Sequence, residues 1–201
     1  AIAILRAAEN PKTDSTLSAA LACECFGCHA ADLSRISLKA REEKTNMVGI
    51  LLALDTHGEE WIQLGRRREL LAARDVLLDL HEKVRTRTVT ETMEALLKQS
   101  GLLALARGDG EGKDFDAVKF SALQEFFNWV KGRAFENQTF TLESLLSDLS
   151  FYDNPDYPDL KLTFNIPHLV ERGVALMTAH QSKGLEFDTV ILSNFREGHW
   201  D

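Results

Sequence analysis

The chain has 201 residues, of which 44% are hydrophobic and 27% charged, and its formal net charge is −8 at pH 7. This composition is typical of a globular protein, and no apolar run reaches the roughly 18 residues that a membrane-spanning helix needs. The acidic balance argues against a free-standing protein that binds nucleic acid by charge alone, because phosphate neutralisation needs clustered Lys and Arg. The sequence begins in helical rhythm and without Met, so we expect it to be a piece of a longer protein.

Helical periodicity dominates residues 1–150. The first helix is predicted to end at the Asn10–Pro11 pair, and further helices are expected around residues 17–21 and 30–44. The apolar run Met47–Leu54 fits a helix or a strand by itself. Its helical neighbours favour a helix.

Three cysteines stand close together and are followed by a histidine: Cys23, Cys25, Cys28 and His29. An odd number of cysteines suggests a reducing compartment rather than a disulfide framework. The spacing resembles part of a zinc site, but a structural zinc site needs a second pair of ligands, and none lies nearby. The sequence therefore favours buried free thiols and no metal, with a zinc-binding module as the alternative.

Two capping-box spacings predict the starts of the next two helices. Thr56 and Glu59 have this spacing before a long amphipathic segment, and Thr88 and Glu91 repeat it. Gly101 stands where a left-handed helix cap is expected.

Residues 66–87 carry an excess of positive charge on an otherwise acidic chain. The candidate contacts to duplex DNA are four arginines in this strip: Arg66, Arg67, Arg68 and Arg74. The alternative is a solvated helix face held by pairs of opposite charges one turn apart.

An aromatic-rich helix follows the glycine-rich loop at residues 107–114. Two apolar stripes run along residues 115–135, which predicts burial over a wide arc and a central core helix. Another helix is expected from Thr141, and a short strand or extended arm at residues 162–166.

The C-terminal stretch VALMTAHQSKGLEFDTVIL has a different pattern. Two apolar runs, Val174–Met177 and Val190–Leu192, predict two parallel-type strands around a polar insert. The predicted fold is therefore mainly α, a multi-helix body followed by a short α/β fragment.

The polar insert carries several hydrogen-bonding side chains at the predicted carboxyl end of a strand, where α/β sheets bind ligands. Thr178, His180 and Ser182 offer donors that suit phosphate oxygens, and Lys183 adds a positive charge. Glu186 is an acceptor suited to sugar hydroxyls. Gly184 permits a tight turn. Leu185 and Phe187 are expected to anchor this loop to the core.

The order of these residues closely resembles motif V of the superfamily 1 DNA helicases of the UvrD, Rep and PcrA kind, which include RecB/AddA-type helicase-nucleases. The family pattern M-T-x-H-x-x-K-G-L-E-F between two hydrophobic strands is met at eight positions: Met177, Thr178, His180, Lys183, Gly184, Leu185, Glu186 and Phe187. Looser similarities earlier in the chain, at residues 1–21, 25–36 and 95–106, follow the family's order.

The resemblance implies a role for each matched residue. Thr178 and His180, with Ser182 and Lys183 in the same loop, would contact the backbone of single-stranded DNA. Glu186 would bind the ribose of ATP, and Gly184 would set the turn.

The resemblance also implies a domain organisation. Residues 1–21 would be a helix from the edge of the second RecA-like domain (2A), and residues 22–167 would form the inserted helical 2B subdomain. Residues 168–201 would return to 2A and carry motif V. The 2B subdomain of the family swivels as a unit, so we expect hinges near Ala22 and within Pro167–Gly173.

The sequence contains no G-x-x-x-x-G-K-[ST] motif and no acidic magnesium motif, and it ends before the family's arginine-bearing motif VI. We therefore expect ATP and Mg to bind in the longer parent protein. We expect that this chain contains no catalytic residue and that by itself it neither hydrolyses ATP nor unwinds DNA. The implied partners are DNA and proteins that bind the 2B subdomain, and no membrane contact is expected. The implied location is a bacterial-type cytoplasm, in association with the nucleoid. The alternative is a helical protein–protein interaction module that contacts DNA only incidentally.

Overall fold

A computed structural model describes residues 1–109, 115–152, 177–178 and 180–192. The chain divides into two compact units, residues 1–167 and 168–201. Described residues of the first unit are mainly helical, which confirms the predicted fold class in outline. No helix in the described part is long and apolar enough to span a membrane.

The first unit contains nine α-helices among its described residues. They are α1 (Ile2–Glu9), α2 (Asp14–Leu21), α3 (Ala30–Glu42), α4 (Met47–Ala53), α5 (Arg67–Thr86), α6 (Val89–Gln99), α7 (Leu102–Arg107), α8 (Ala117–Glu136) and α9 (Leu142–Tyr152). A short 3₁₀ helix, Glu24–Phe26, joins α2 to α3.

One hydrophobic core joins these helices. The helix α1 packs against α2, α5 and α9, while α3 packs on α4, and α6 bridges α5 to α7 and α8. The largest side chains that are almost fully buried are aliphatic: Ile4, Leu5, Leu17, Leu21, Ile36, Met47, Ile50, Leu51, Leu54, Leu70, Leu77 and Leu80. Each such side chain contributes about 2 kcal/mol of burial free energy, and these side chains come from α1 to α5 and from Leu54 just after α4.

Local capping fixes several helix ends where the sequence predicted them. The helix α1 ends at Glu9, just before Asn10 and Pro11. Thr88 and Glu91 form the reciprocal capping box of α6, which confirms that prediction. Gly101 follows the C-cap residue Ser100 of α6 and adopts a positive φ of 76°, as expected for a left-handed cap.

The predicted start of α5 is wrong by about ten residues. Residues 54–66 form turns, and the helix begins at Arg67. The hydroxyl of Thr56 donates to Ala53 O at 3.1 Å instead of capping a new helix. The segment with capping-box spacing is therefore a turn that follows α4.

The prediction that the aromatic-rich helix lies at the centre of the core is also wrong. On α8 only Ser121, Phe126 and Val130 are buried, because this helix packs chiefly against α6 and α7. Phe115 and Phe135, near its two ends, are 58% and 89% exposed. The contacts of α8 therefore leave most residues of its two apolar stripes partly exposed.

The two C-terminal strands are not shown. Val190–Leu192 has no regular secondary structure, and its side chains are exposed. A strand requires a hydrogen-bonded neighbour, and no strand occurs in the described ranges. Residues 174–176 and the predicted arm at 162–166 lie outside the described residues.

Candidate functional site

The polar insert of the second unit begins with a reciprocal capping box between Thr178 and Gln181. The side-chain oxygen Oε1 of Gln181 accepts from the backbone N–H of Thr178 at 2.9 Å and from its hydroxyl at 3.2 Å. In return, the backbone N–H of Gln181 donates to Thr178 Oγ1 at 3.3 Å. This pairing is the T-x-x-Q form of the box, and it fixes the start of a single helical turn.

The turn closes within a few residues. The backbone N–H of Ser182 donates to Thr178 O at 3.1 Å, and that of Leu185 donates to Ser182 O at 3.0 Å. Gly184 then adopts a φ of +86°. An L-residue with a side chain rarely adopts this conformation, so glycine is required here for the chain to leave the turn.

The turn presents charged and polar side chains to the outside of the second unit. His180, Lys183 and Glu186 are all exposed, and Ser182 is half-buried. An exposed lysine and the polar donors beside it suit phosphate oxygens, and a carboxylate three residues further on suits hydroxyl donors. The structure thus brings the predicted motif V residues together on one short loop.

The apolar residues of this loop do not anchor it within the described part of the chain. Leu185 is 55% exposed and Phe187 is 44% exposed. Our expectation that they are buried in the core is therefore not met by the described residues of the second unit.

In the first unit, the arginines of the basic strip differ in their surroundings. Arg66 and Arg68 are exposed at the start of α5. Arg67 is half-buried, and its Nη2 donates to Leu54 O at 2.6 Å and to His57 O at 2.7 Å. Arg67 thus ties the turn after α4 to the first residue of α5, and its guanidinium is oriented inward.

Arg74 is an interior residue, with 7% of its surface exposed. Its guanidinium lies 2.8 Å from Asp55 Oδ1 and 2.7 Å from Asp75 Oδ1, and it donates to Leu51 O at 2.9 Å. These contacts hold the end of α4 against α5. Such a position is unsuited to the duplex contact that the sequence suggested for Arg74.

The outer face of α5 is not continuously basic. The exposed residues Asp75, Asp79 and Glu82 lie between Arg68 and Arg85, and Asp79 forms an ion pair with Lys83 one turn away. Positive charge on the exposed surface of α5 is therefore divided between its two ends. The middle of the helix has the pairs of opposite charges that the alternative, a solvated helix face, predicts.

Asp32 connects α3 to the start of α5. This buried side chain, 1% exposed, accepts from the backbone N–H of Gly65 at 3.0 Å and of Arg66 at 2.9 Å, and from Arg35 Nη1 at 2.9 Å. Burial acts to raise the pKa of Asp32, but these hydrogen bonds outweigh it and hold the pKa below its ordinary value. No local sequence pattern indicated this contact, because its partners lie more than 30 residues along the chain.

The cysteine cluster consists of half-buried free thiols. Burial raises the pKa of both Cys25 and Cys28 to about 11. His29 Nδ1 accepts from the backbone N–H of Ala31 at 3.2 Å and caps α3. Within the described ranges no group of three His, Cys, Asp or Glu side chains is placed to hold a metal ion.

Comparisons with known proteins identify helicase relatives of this chain. The sequence is 28% identical over 199 residues to an ATP-dependent helicase/nuclease protein of Lactococcus lactis subsp. cremoris (strain SK11) and to the exonuclease/helicase subunit RexA of strain MG1363 of that subspecies. Each match covers 96% of this chain but only 16% of the relative, so the chain spans about one-sixth of the relatives' length. The sequence also matches the family described as UvrD-like helicase C-terminal domain over residues 1–200. The chain belongs to the UvrD-like helicase C-terminal domain family.

Proposed function

We propose that this chain acts within an ATP-dependent DNA helicase and supplies the loop that couples the nucleotide to single-stranded DNA. Thr178, His180, Ser182 and Lys183 would contact the DNA backbone, and Glu186 would bind the ribose of ATP. The observation that supports this proposal is the turn that begins at the Thr178–Gln181 cap and ends at Gly184, with exposed side chains that suit phosphate oxygens and sugar hydroxyls.

The chemistry of ATP hydrolysis would come from other parts of that helicase. The sequence has no phosphate-binding glycine loop, and phosphoryl transfer needs that loop together with Mg and an arginine that stabilises charge. We therefore propose that ATP and Mg bind at a site to which this chain contributes Glu186, and that the chain alone does not hydrolyse ATP or unwind DNA.

The helical body would act as the 2B-like subdomain, between a first segment at 1–21 and a C-terminal segment at 168–201 that belong to the RecA-like domain. Residues 174–177 and 190–192 would form strands where the rest of that sheet is present, since strands need paired neighbours. Arg66 and Arg68, which are exposed at the start of α5, would contact duplex DNA. Arg67 and Arg74 would support this surface from within.

The ribose contact is tested by steady-state kinetics of the complete helicase. Glu186→Gln should raise the KM for ATP several-fold with a smaller change in kcat, because an amide is a poorer acceptor for two hydroxyls than a carboxylate. A KM that stays unchanged would contradict the assignment of Glu186.

The DNA contacts are tested by fluorescence anisotropy with a tailed duplex at about 50 mM and about 200 mM salt. Lys183→Ala should weaken binding and reduce the salt slope by about 1, as expected for the loss of one phosphate contact. Lys98→Ala is the matched control, because Lys98 is an exposed lysine of the helical body. Equal effects of the two lysine variants would count against the motif V assignment.

For the duplex contact, Arg68→Glu should weaken binding more than Arg85→Glu at the other end of α5.

A second function, a protein-docking helical module, is favoured by one observation on α8 and α9. A shallow groove there is lined by Trp129, Arg133, Asp148, Phe151 and Tyr152. Aromatic residues and arginine are enriched at protein interfaces. Absence of salt-sensitive DNA binding in the anisotropy experiment would favour this function over the first.

A further inference from the structure

The capping box leaves Thr178 with no free donor for a phosphate. A threonine residue has two hydrogen-bond donors, its backbone N–H and its hydroxyl. Both donate to Gln181 Oε1, at 2.9 Å and 3.2 Å. Phosphate oxygens are acceptors only, so neither donor of Thr178 can reach one while the cap is closed.

The orientation of the Gln181 amide follows from the network itself. A backbone N–H requires an acceptor, and only the Oε1 side of the amide can accept from Thr178. The reverse orientation would place the NH₂ group of Gln181 against the N–H of Thr178. The hydroxyl of Thr178, 3.2 Å from Oε1, must then be the donor of that contact, because an amide oxygen only accepts.

We propose that Gln181 is a positioning residue that holds Thr178 in a closed cap, and that DNA binding through Thr178 exchanges Gln181 Oε1 for a phosphate oxygen. This inference rests on the proposed function, because it requires that Thr178 contacts the DNA backbone. It adds a residue that the motif pattern leaves unspecified, since Gln181 falls on an x position.

The exchange has a consequence for affinity. An intramolecular acceptor competes with the phosphate for the same two donors, so part of the free energy of the DNA contact is used to open the cap. The backbone N–H of Gln181 donates to Thr178 Oγ1, and this bond does not involve the side chain of Gln181. Removal of the Gln181 side chain alone should therefore release both donors and leave the hydroxyl in place.

A double-mutant cycle tests the exchange on the complete protein, with a fluorescein-labelled oligothymidine as the probe and without nucleotide. The variants are Gln181→Ala, Thr178→Val and the two combined. Thr178→Val should weaken binding several-fold. Gln181→Ala should tighten binding about threefold to fivefold when Thr178 is present, as expected for one hydrogen bond, and should tighten it clearly less in the Thr178→Val background, where only the backbone N–H of residue 178 is left to release.

Gln181→Glu is the conservative control. Glutamate is the usual partner in a capping box and keeps the acceptor, so this variant should not tighten DNA binding. If Gln181→Ala weakens binding equally with and without Thr178, then Gln181 only stabilises the turn and the exchange is refuted. If Thr178→Val leaves the affinity unchanged, the proposed DNA contact of Thr178 itself fails, together with this inference. The two failures are therefore distinguishable.

Discussion

Replacement of Asp32 by alanine should destabilise the helical unit by about 3 kcal/mol. The carboxylate of Asp32 accepts two backbone hydrogen bonds, from Gly65 at 3.0 Å and from Arg66 at 2.9 Å, in a site where its side chain is 1% exposed. A hydrogen bond to a charged, buried acceptor is worth about 1.5 kcal/mol, and the variant leaves both N–H groups without that acceptor. The ion pair with Arg35 adds little, because the side chain of Arg35 is 52% exposed.

The assay is urea unfolding followed by circular dichroism at 222 nm. With a slope of about 2 kcal/mol per molar urea, the midpoint should fall by about 1.5 M. Asp79→Ala is the matched control, since Asp79 is a half-exposed aspartate whose ion pair with Lys83 lies on the surface. Its midpoint should shift by no more than about 0.5 M.

The pH dependence of the difference gives a second test. The pKa of Asp32 is lower in the folded protein than its ordinary value, so its stabilising contribution is present above that ordinary value and is lost as the pH falls through the folded-state pKa. The stability difference between the wild type and Asp32→Asn should therefore shrink in strong acid. A midpoint shift no larger than that of Asp79→Ala, or a difference that grows in acid, would refute the role of Asp32.

Two further predictions concern buried groups. Arg74→Ala should lower the stability by about 2 kcal/mol, measured by thermal unfolding, because it leaves the carbonyl of Leu51 without its buried donor. The ion pair with Asp55 adds little, since the side chain of Asp55 is 53% exposed. An unchanged Tm would show that solvent replaces the guanidinium. Cys28, with a pKa of about 11, should react with a disulfide reagent at pH 8 roughly 100-fold more slowly than a free thiol. The reaction rate of Cys28 should rise with pH up to that pKa. Fast reaction of all three cysteines at pH 8 would contradict this prediction.

Helix ends could be predicted from the sequence where the cap is local. The box of Thr88 and Glu91 uses residues three apart and was predicted correctly. The same spacing at Thr56 failed: residues 54–66 form turns, and the N–H groups of Gly65 and Arg66, just before α5, donate to Asp32 on another helix. A local pattern cannot distinguish these cases, since the deciding contact is more than 30 residues away in the chain.

Burial was the least predictable property. The aromatic residues of α8 have helical spacing, but how many of them are buried depends on which helices lie beside α8. Arg74 belongs to a segment with an excess of positive charge and yet packs inside, where Asp55 reaches it from the turn after α4. Both outcomes depend on tertiary neighbours that composition does not identify.

In the candidate site, residue order suggested the motif, but the pairing of Thr178 with Gln181 inside it was not predicted. The T-x-x-Q spacing of Thr178 and Gln181 was present in the sequence and is a known signal for a helix start. The short length of the turn hid it, since one helical turn leaves no periodic pattern. The exposure of Leu185 and Phe187 in the described residues could not be anticipated from their hydrophobicity.

The bonds from Asp32 to Gly65 and Arg66 also close a loop of just over 30 residues around α4. Because the closure lies at the base, the exposed turn at Gly58, where no atom would meet an added side chain within 4 Å, can vary in length without moving α3 or α5. The closure entropy of a flexible turn grows only with the logarithm of its length, so doubling the turn at Gly58 would cost about 0.6 kcal/mol. Related proteins could therefore carry insertions of quite different size at this point while retaining the same helical core.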